Sequence, residues 1–316
     1  MNDQAFLFPG QGSQAVGMGL DLYRASEFAK KTFTRADEVL GYHFSRICFE
    51  GPEEELKLTA NTQPALLTVS YILFTLWEQE PGLAAGHSLG EYSALLCAGV
   101  FCFEDALTLV HKRGLYMQEA VPVGRGAMAA LIGADIEMVR QTIAAVNHEM
   151  AGLPADPEGI RRVVNLANWN SATQIVISGE KSAVEEAARR LGVKTVFLPV
   201  SAPFHSELML PAEERLAVDL DRVQFSDCKF PVVNNWQAID VTRADAVREG
   251  LKKQVSRPVL WQAIMERMLQ DSALTRFTEI GTGKVLAGLL KRAARDRQRD
   301  IRIANIETMD DLKKNV

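Results

Sequence analysis

Five residues constrain the fold of this chain more than any others: Gly86-His87-Ser88-Leu89-Gly90. A short apolar segment precedes them, and a helix-like stretch over residues 91–100 follows. Glycines on both sides of a serine permit a turn too cramped for larger residues, so strand, turn and helix meet at one sharp elbow. The elbow pushes the serine hydroxyl into the open, and the helix N-terminus behind it favours developing negative charge. A pattern with two free positions also recurs by accident in glycine-containing loops. The flanking strand and helix are what favour a catalytic reading.

The remaining chain shows the same alternation of strand and helix. Residues 5–8 form an apolar run stopped by Pro9-Gly10, which reads as a buried strand ending in a loop. Gln63-Pro64 opens a helix running to Trp77, with Pro64 suited to its first turn. Between 127 and 200 the rhythm changes. Strands are predicted at 127–132, 163–167, 174–178 and 195–200, with helices at 136–146 and 182–191. That β-α-β-β-α-β order is the ferredoxin-like pattern. The Pro/Gly-rich stretch 152–159 reads as an exposed loop. After residue 200 an α/β pattern returns, ending in a strand at 277–280, a glycine-rich turn, a helix from Lys284 and a last strand at 301–306. With 316 residues the chain exceeds an ordinary single domain. We expect a large α/β domain in two pieces, 1–124 and 200–316, interrupted by a smaller one at 125–199.

Charge and cysteine usage narrow the function classes. Lys and Arg number 35 against 40 Asp and Glu, a net charge of −5, whereas nucleic-acid binders usually carry a basic excess. The longest apolar stretch, 65–77, is too short to span a bilayer. Met1-Asn2-Asp3-Gln4 lacks the basic start of a signal peptide. Cys48, Cys97, Cys102 and Cys228 show no C-x-x-C spacing and no histidine pair at ligand spacing. They read as reduced thiols of a cytoplasmic protein rather than a metal site.

A serine needs a base to become a nucleophile. His87 adjoins Ser88, and neighbouring side chains on a tight turn diverge. His43, placed after a glycine, His111 in a helix and His148 at the start of a variable-looking loop suit ordinary structural roles. His205 follows a strand end through Ser201-Ala202-Pro203-Phe204, a position that faces a cleft. Near the N-terminus, Gly10, Gly12 and Ala15 match a dinucleotide fingerprint formally, but no second strand ending in an acidic residue follows. What survives is a glycine-rich loop with exposed backbone N–H groups, suited to an oxyanion hole. Arg113 lies on the apolar stripe of Ala106, Leu109, Val110 and Met117, so it either snorkels to solvent or faces an anion in a cleft.

Taken together, these stretches resemble the malonyl-CoA:acyl carrier protein transacylase family of fatty-acid and polyketide synthesis. The matching pieces are Phe8-Pro9-Gly10-Gln11-Gly12-Ser13-Gln14, Gly86 to Glu91, Lys112-Arg113-Gly114 with Met117-Gln118, and Gly126-Ala127-Met128-Ala129-Ala130. Asn168-Trp169-Asn170-Ser171, Val200 to Ser206 and Glu279-Ile280-Gly281 follow in family order. The resemblance implies an α/β-hydrolase-like large domain with an inserted ferredoxin-like subdomain. It implies Ser88 as nucleophile, His205 as base, and the N–H groups of Gln11 and Leu89 as oxyanion hole. Arg113 would bind the malonate carboxylate, and the Gln254 backbone carbonyl would orient the histidine. Phe204 before the histidine resembles the malonyl-selective version, the ring filling the space an α-methyl branch needs. The chain departs from the family at Val255-Ser256-Arg257-Pro258, where an aromatic and Asn-Pro are common, and at Thr282, where proline is frequent.

The implied partners are malonyl-CoA and acyl carrier protein, with no metal or redox cofactor, no nucleic acid and no membrane; CoA thioester is a substrate. A hydrolase using the same Ser-His pair is the alternative, and a silent docking scaffold a more distant one. A basic run, Lys284, Lys291, Arg292, Arg295, Arg297, Arg299 and Arg302, suits either CoA phosphates and an acidic carrier or a solvated helix face.

Overall fold

A computed structural model describes residues 2–153, 159–200 and 202–315. Its larger sheet contains β1 (Gln4–Phe8), β2 (Leu83–Gly86), β7 (Val232–Val233), β8 (Asp240–Val241), β9 (Arg276–Ile280) and β10 (Arg302–Ile306). The order is β10-β9-β1-β2-β7-β8. Every pairing is parallel except β7 with β8. The smaller sheet is antiparallel, in the order β4-β5-β3-β6, from β3 (Gly126–Ile132), β4 (Val164–Ser171), β5 (Gln174–Glu180) and β6 (Lys194–Phe197). With α8 (Ile136–Ala151) and α9 (Lys181–Leu191) it makes a ferredoxin-like unit between the two parts of an α/β-hydrolase-like one.

The remaining helices belong to the larger unit. Before β2 come α1 (Leu20–Ala25), α2 (Glu27–Leu40), α3 (Phe44–Glu50), α4 (Glu53–Lys57) and α5 (Thr59–Trp77). Between β2 and β3 lie α6 (Leu89–Cys97) and α7 (Phe103–Glu119). After β6 come α10 (Leu210–Arg222), α11 (Ala244–Gln254), α12 (Trp261–Gln270), α13 (Val285–Asp296) and α14 (Met309–Lys314). No described helix is long and apolar enough to cross a membrane.

Strand β1 shows why its run is apolar without alternation. All five residues are buried, and successive side chains enter opposite layers. Phe6 and Phe8 join the core beneath α5, α6 and α7, whereas Ala5 and Leu7 join the one containing Trp261, Leu286 and Leu290. The small sheet has a separate core around Leu131, Ile175, Ile177 and Leu191. It is tied to the larger unit where Val259 N–H donates to Ala167 C=O, and Trp169 N–H to Val259 C=O, both at 2.9 Å.

Several expectations need correction. Helix α5 begins at Thr59, so Pro64 lies inside it rather than in its first turn. Proline has no N–H for the Ala60 carbonyl four residues back. His111 Nδ1 supplies that partner at 2.9 Å. The exchange is possible because α7 approaches closely there, and a Cβ on Gly114 would overlap the Ala60 backbone. His148 falls in the last turn of α8, not in a loop. Strand β4 extends to Ser171 through two register shifts, while β6 stops at Phe197. Of the expected 152–159 loop, residues 154–158 lie outside the described residues.

Candidate active site

Ser88 sits between β2 and α6 at φ 51° and ψ −103°, a left-handed backbone that side chains rarely adopt. The flanking glycines allow it. A Cβ on Gly86 would overlap the Gly90 carbonyl, and one on Gly90 would overlap the Phe8 carbonyl of β1. The turn is also tied down from outside. Ser88 N–H donates to Asn235 Oδ1 at 2.7 Å, while Asn235 Nδ2 donates to the Gly86 carbonyl at 2.7 Å. Asn235 lies two residues past the end of β7, the strand paired with β2.

His205 reaches this serine from a sequence distance of 117 residues, with Nε2 2.8 Å from Ser88 Oγ. Its Nδ1 lies 3.0 Å from the Gln254 carbonyl and 3.1 Å from that of Arg257. Carbonyls only accept, so Nδ1 carries the proton and Nε2 presents its lone pair to the hydroxyl. The 253–256 turn is held by Glu213, which accepts from Lys253 Nζ at 2.7 Å and from Ser256 Oγ. The histidine is 3 % exposed. Burial, followed by the positive charge of Arg113, pushes its pKa down to about 3, which keeps the ring neutral. Gly126 at the start of β3 packs against Pro203, where a Cβ would overlap the proline ring. The small unit thereby buttresses the loop carrying the histidine.

Arg113 settles the choice between snorkelling and a cleft. It is 1 % exposed on α7. Nη1 donates to Gln63 Oε1 at 2.7 Å, and Nη2 to Gln254 Oε1 at 2.9 Å and to Ser88 Oγ at 3.1 Å. The Tyr92 ring lies 5.5 Å from the guanidinium carbon. Its three hydrogen-bond partners are all neutral, and among the described residues Arg113 makes no ion pair. A buried guanidinium without a counter-ion in contact is expensive, so the site favours an incoming anion.

A cavity of about 130 Å³ opens in front of these groups, lined in part by Gln11, Ser88, Leu89, Arg113, Phe204 and His205. Leu89 is the first residue of α6, so its N–H has no acceptor within that helix. Gln11 belongs to the loop after β1; no helix begins there until Leu20, which removes the dinucleotide-fingerprint match. A second recess of about 210 Å³ adjoins through Gln11 and His87 and is bounded by Val285 and Leu289. His87 does turn away from the hydroxyl, its Nε2 lying 2.8 Å from Asn170 Oδ1. A larger groove, about 1000 Å³, between α2 and α5 contains none of these residues.

Among the participants that carried no role in the sequence reading are Gln63, Glu91, Asn170, Asn235, Tyr92, Glu213 and the Arg257 carbonyl. Glu91 and Asn170 lay within matched stretches, and Gln63 marked a helix start, whereas Asn235 offered no signal. Glu91 is 2 % exposed, and burial pushes its pKa up to about 7. Among the described residues, no three His, Cys, Asp or Glu side chains gather to hold a metal ion. The basic run divides. Arg297 pairs with Glu266 at 2.8 Å and Arg299 binds the carbonyls of Asp271 and Leu274, whereas Lys284, Lys291, Arg292 and Arg295 stand exposed.

Comparison with known proteins places this geometry. A family model described as "Acyl transferase domain" matches residues 5–315. The malonyl CoA-acyl carrier protein transacylase of Escherichia coli K12 is 46% identical over 300 residues, covering 92% of this chain and 93% of the relative. That of Bacillus subtilis strain 168 is 44% identical over 317 residues, covering 98% and 96%. Among solved structures, an acyl carrier protein S-malonyltransferase from Vibrio cholerae superposes with a TM-score of 0.89 at 39% identity, covering 99% of each chain. A malonyl-transacylase solved in complex with its type II PKS acyl-carrier protein gives 0.88 at 41% identity, covering 99% of this chain and 98% of that one.

Proposed function

This chain belongs to the acyl transferase domain family, and we propose that it moves a malonyl group from malonyl-CoA to the phosphopantetheine thiol of an acyl carrier protein. The observation that carries the reading is Arg113, a buried guanidinium without a contacting carboxylate, donating to the hydroxyl that the histidine activates. An acyl group ending in a carboxylate fits that arrangement, because its charge can pair with the guanidinium while its thioester lies at Ser88. Relatives named for malonyl transfer, and one solved with its carrier protein, support transfer to a carrier over hydrolysis.

In the proposed scheme His205 Nε2 takes the Ser88 hydroxyl proton as Oγ attacks the thioester carbonyl. The backbone N–H groups of Gln11 and Leu89 receive the oxyanion. The tetrahedral intermediate collapses with cleavage of the C–S bond, and the histidine returns the proton to the departing CoA sulfur. The carrier's thiol then gives its proton to His205 and attacks the Ser88 ester carbonyl; the acyl C–Oγ bond breaks, and the histidine returns the proton to Oγ. Both halves balance without electrons or added groups, so the scheme calls on no metal or redox cofactor. The Gln254 and Arg257 carbonyls hold the histidine tautomer throughout. Phe204 narrows the acyl cavity against a branched group. A cytoplasmic location is part of this proposal.

Incubation with radiolabelled malonyl-CoA, with and without carrier protein, tests the reading. Label should stay on the protein until carrier is added and then leave with it. Rapid release of free malonate would establish the hydrolase, and absence of label a scaffold.

A further inference from the structure

Glu91 is a buried acid for which the transfer scheme has no use. At the third position of α6, such a residue ordinarily reaches back to the N-cap N–H. Here that N–H, of Ser88, is taken by Asn235 Oδ1. Glu91 Oε2 instead accepts from the Asn235 backbone N–H at 3.0 Å and from Gln254 Nε2 at 2.8 Å. The second contact matters for the site. Gln254 is 0 % exposed, and its amide is used at both ends. Nε2 donates to Glu91 and to the Ser88 carbonyl at 2.8 Å, while Oε1 accepts from Arg113 Nη2 at 2.9 Å.

An amide can rotate by half a turn and exchange oxygen for nitrogen with little change in shape. Rotation here would turn Oε1 toward two acceptors and Nε2 toward a guanidinium, which can only donate. Two acceptors therefore fix the amide. One is the Ser88 carbonyl, already occupied by Glu91 N–H at 3.1 Å. The other is Glu91 Oε2, which accepts from Gln254 Nε2 at 2.8 Å and has no other use in the site than this and the Asn235 N–H.

We propose that Glu91 is a positioning residue for acyl selectivity, its carboxylate locking the Gln254 amide so that Oε1 holds Arg113 Nη2 beside Ser88. Without it, Gln254 Nε2 keeps only the Ser88 carbonyl, which it shares with the residue-91 N–H, so the amide is held less firmly and Arg113 loses part of its fixed support. Only malonyl transfer needs the guanidinium for a carboxylate, so loss of that support falls on malonyl, whereas any loss through Asn235, whose N–H Glu91 also holds, falls on both substrates alike. This rests on the malonyl reading above.

The experiment compares kcat/KM for malonyl-CoA and acetyl-CoA in wild type, Glu91→Ala, Glu91→Leu and Glu91→Gln. The leucine variant keeps the buried volume filled if the alanine protein does not fold. Alanine and leucine should each lower malonyl kcat/KM by about tenfold or more, the worth of one hydrogen bond to a charged group. Acetyl transfer should fall less, by at least about threefold less than malonyl, so that the malonyl-to-acetyl ratio drops. Glu91→Gln should keep most of the malonyl preference, because its amide oxygen can accept the same two donors. Equal losses for both substrates, an unchanged preference in all variants, or a glutamine variant as impaired as alanine would each overturn the relay. A wild-type protein without malonyl preference would instead refute the functional reading on which it rests.

Discussion

Replacing Arg113 by alanine separates selectivity from architecture. In the free protein the guanidinium binds two neutral glutamine oxygens and one hydroxyl. Leaving Gln63 Oε1 and Gln254 Oε1 without donors costs about 1–3 kcal/mol each in stability, a penalty independent of substrate. The malonyl carboxylate adds a separate term. Stranding one partner of a buried charge pair costs about 3–5 kcal/mol, so malonyl kcat/KM should fall by roughly 10² to 10³·⁵. Acetyl-CoA brings no carboxylate, and its transfer should be retained or improved. Arg113→Lys should recover part of the malonyl rate, since a point charge cannot reproduce the planar fork. The assay is kcat/KM for both acyl-CoAs on all three proteins, with a thermal melt to register the common stability loss. Equal losses for malonyl and acetyl would show that Arg113 only supports the fold and would refute the substrate assignment.

Ser88→Ala should show no malonyl adduct by intact mass, and His205→Ala should slow acylation by about 10²–10⁴, the range for a general base; an adduct on the first or wild-type acylation by the second would reassign the pair. Because burial and then Arg113 lower the His205 pKa to about 3, the base stays neutral as pH falls through 6.5. The acylation rate should therefore hold to clearly more acidic pH, and its acid limb should move up in Arg113→Ala; a limb at the ordinary histidine value in wild type would contradict the burial argument. The same shift makes the unfolded chain bind a proton first, so this group's contribution to stability is present above pH 6.5 and lost as pH falls toward 3. Phe204→Ala should raise the ratio of methylmalonyl-CoA to malonyl-CoA kcat/KM by about tenfold or more, the worth of a small apolar group in a fitted pocket. Gly90→Ala should lower stability by roughly 1–3 kcal/mol in a denaturant titration, since its Cβ would overlap the Phe8 carbonyl.

How much of this molecule the sequence displays depends on the range of the interaction. Strand β1 was legible because a strand buried on both faces must be apolar throughout, and α6 because the glycines before it admit one tight turn. The two-residue strands β7 and β8 and the short helices α1, α3 and α4 were not, because pieces of this length carry too little periodicity to stand out. Helix α5 was misread at its start for a related reason. Proline is favoured at a first turn, and the partner that lets it sit deeper, His111, is 51 residues away from the carbonyl it binds.

The same division runs through the site. The sequence determined the elbow at Ser88, since the steric need for Gly86 and Gly90 is local to five residues. It also marked His205 as a loop histidine at a strand end, and Arg113 as a charge on an apolar stripe. Only the tertiary structure decided that the three meet. Parallel strands need long crossovers, so β2, the loop after β6 and α11 are brought together from positions 88, 205 and 254 by the order of the sheet rather than by any neighbour in the chain. Whether Arg113 reaches solvent or a cleft depended on what covers α7, and what covers it are Gln63 and Gln254, 50 and 141 residues away. Hydrogen bonds over such distances leave no spacing to read, because folding alone sets the separation of their ends. That is why Asn235 and the Gln254 amide, which hold the serine and the arginine in place, were invisible until the sheet was formed.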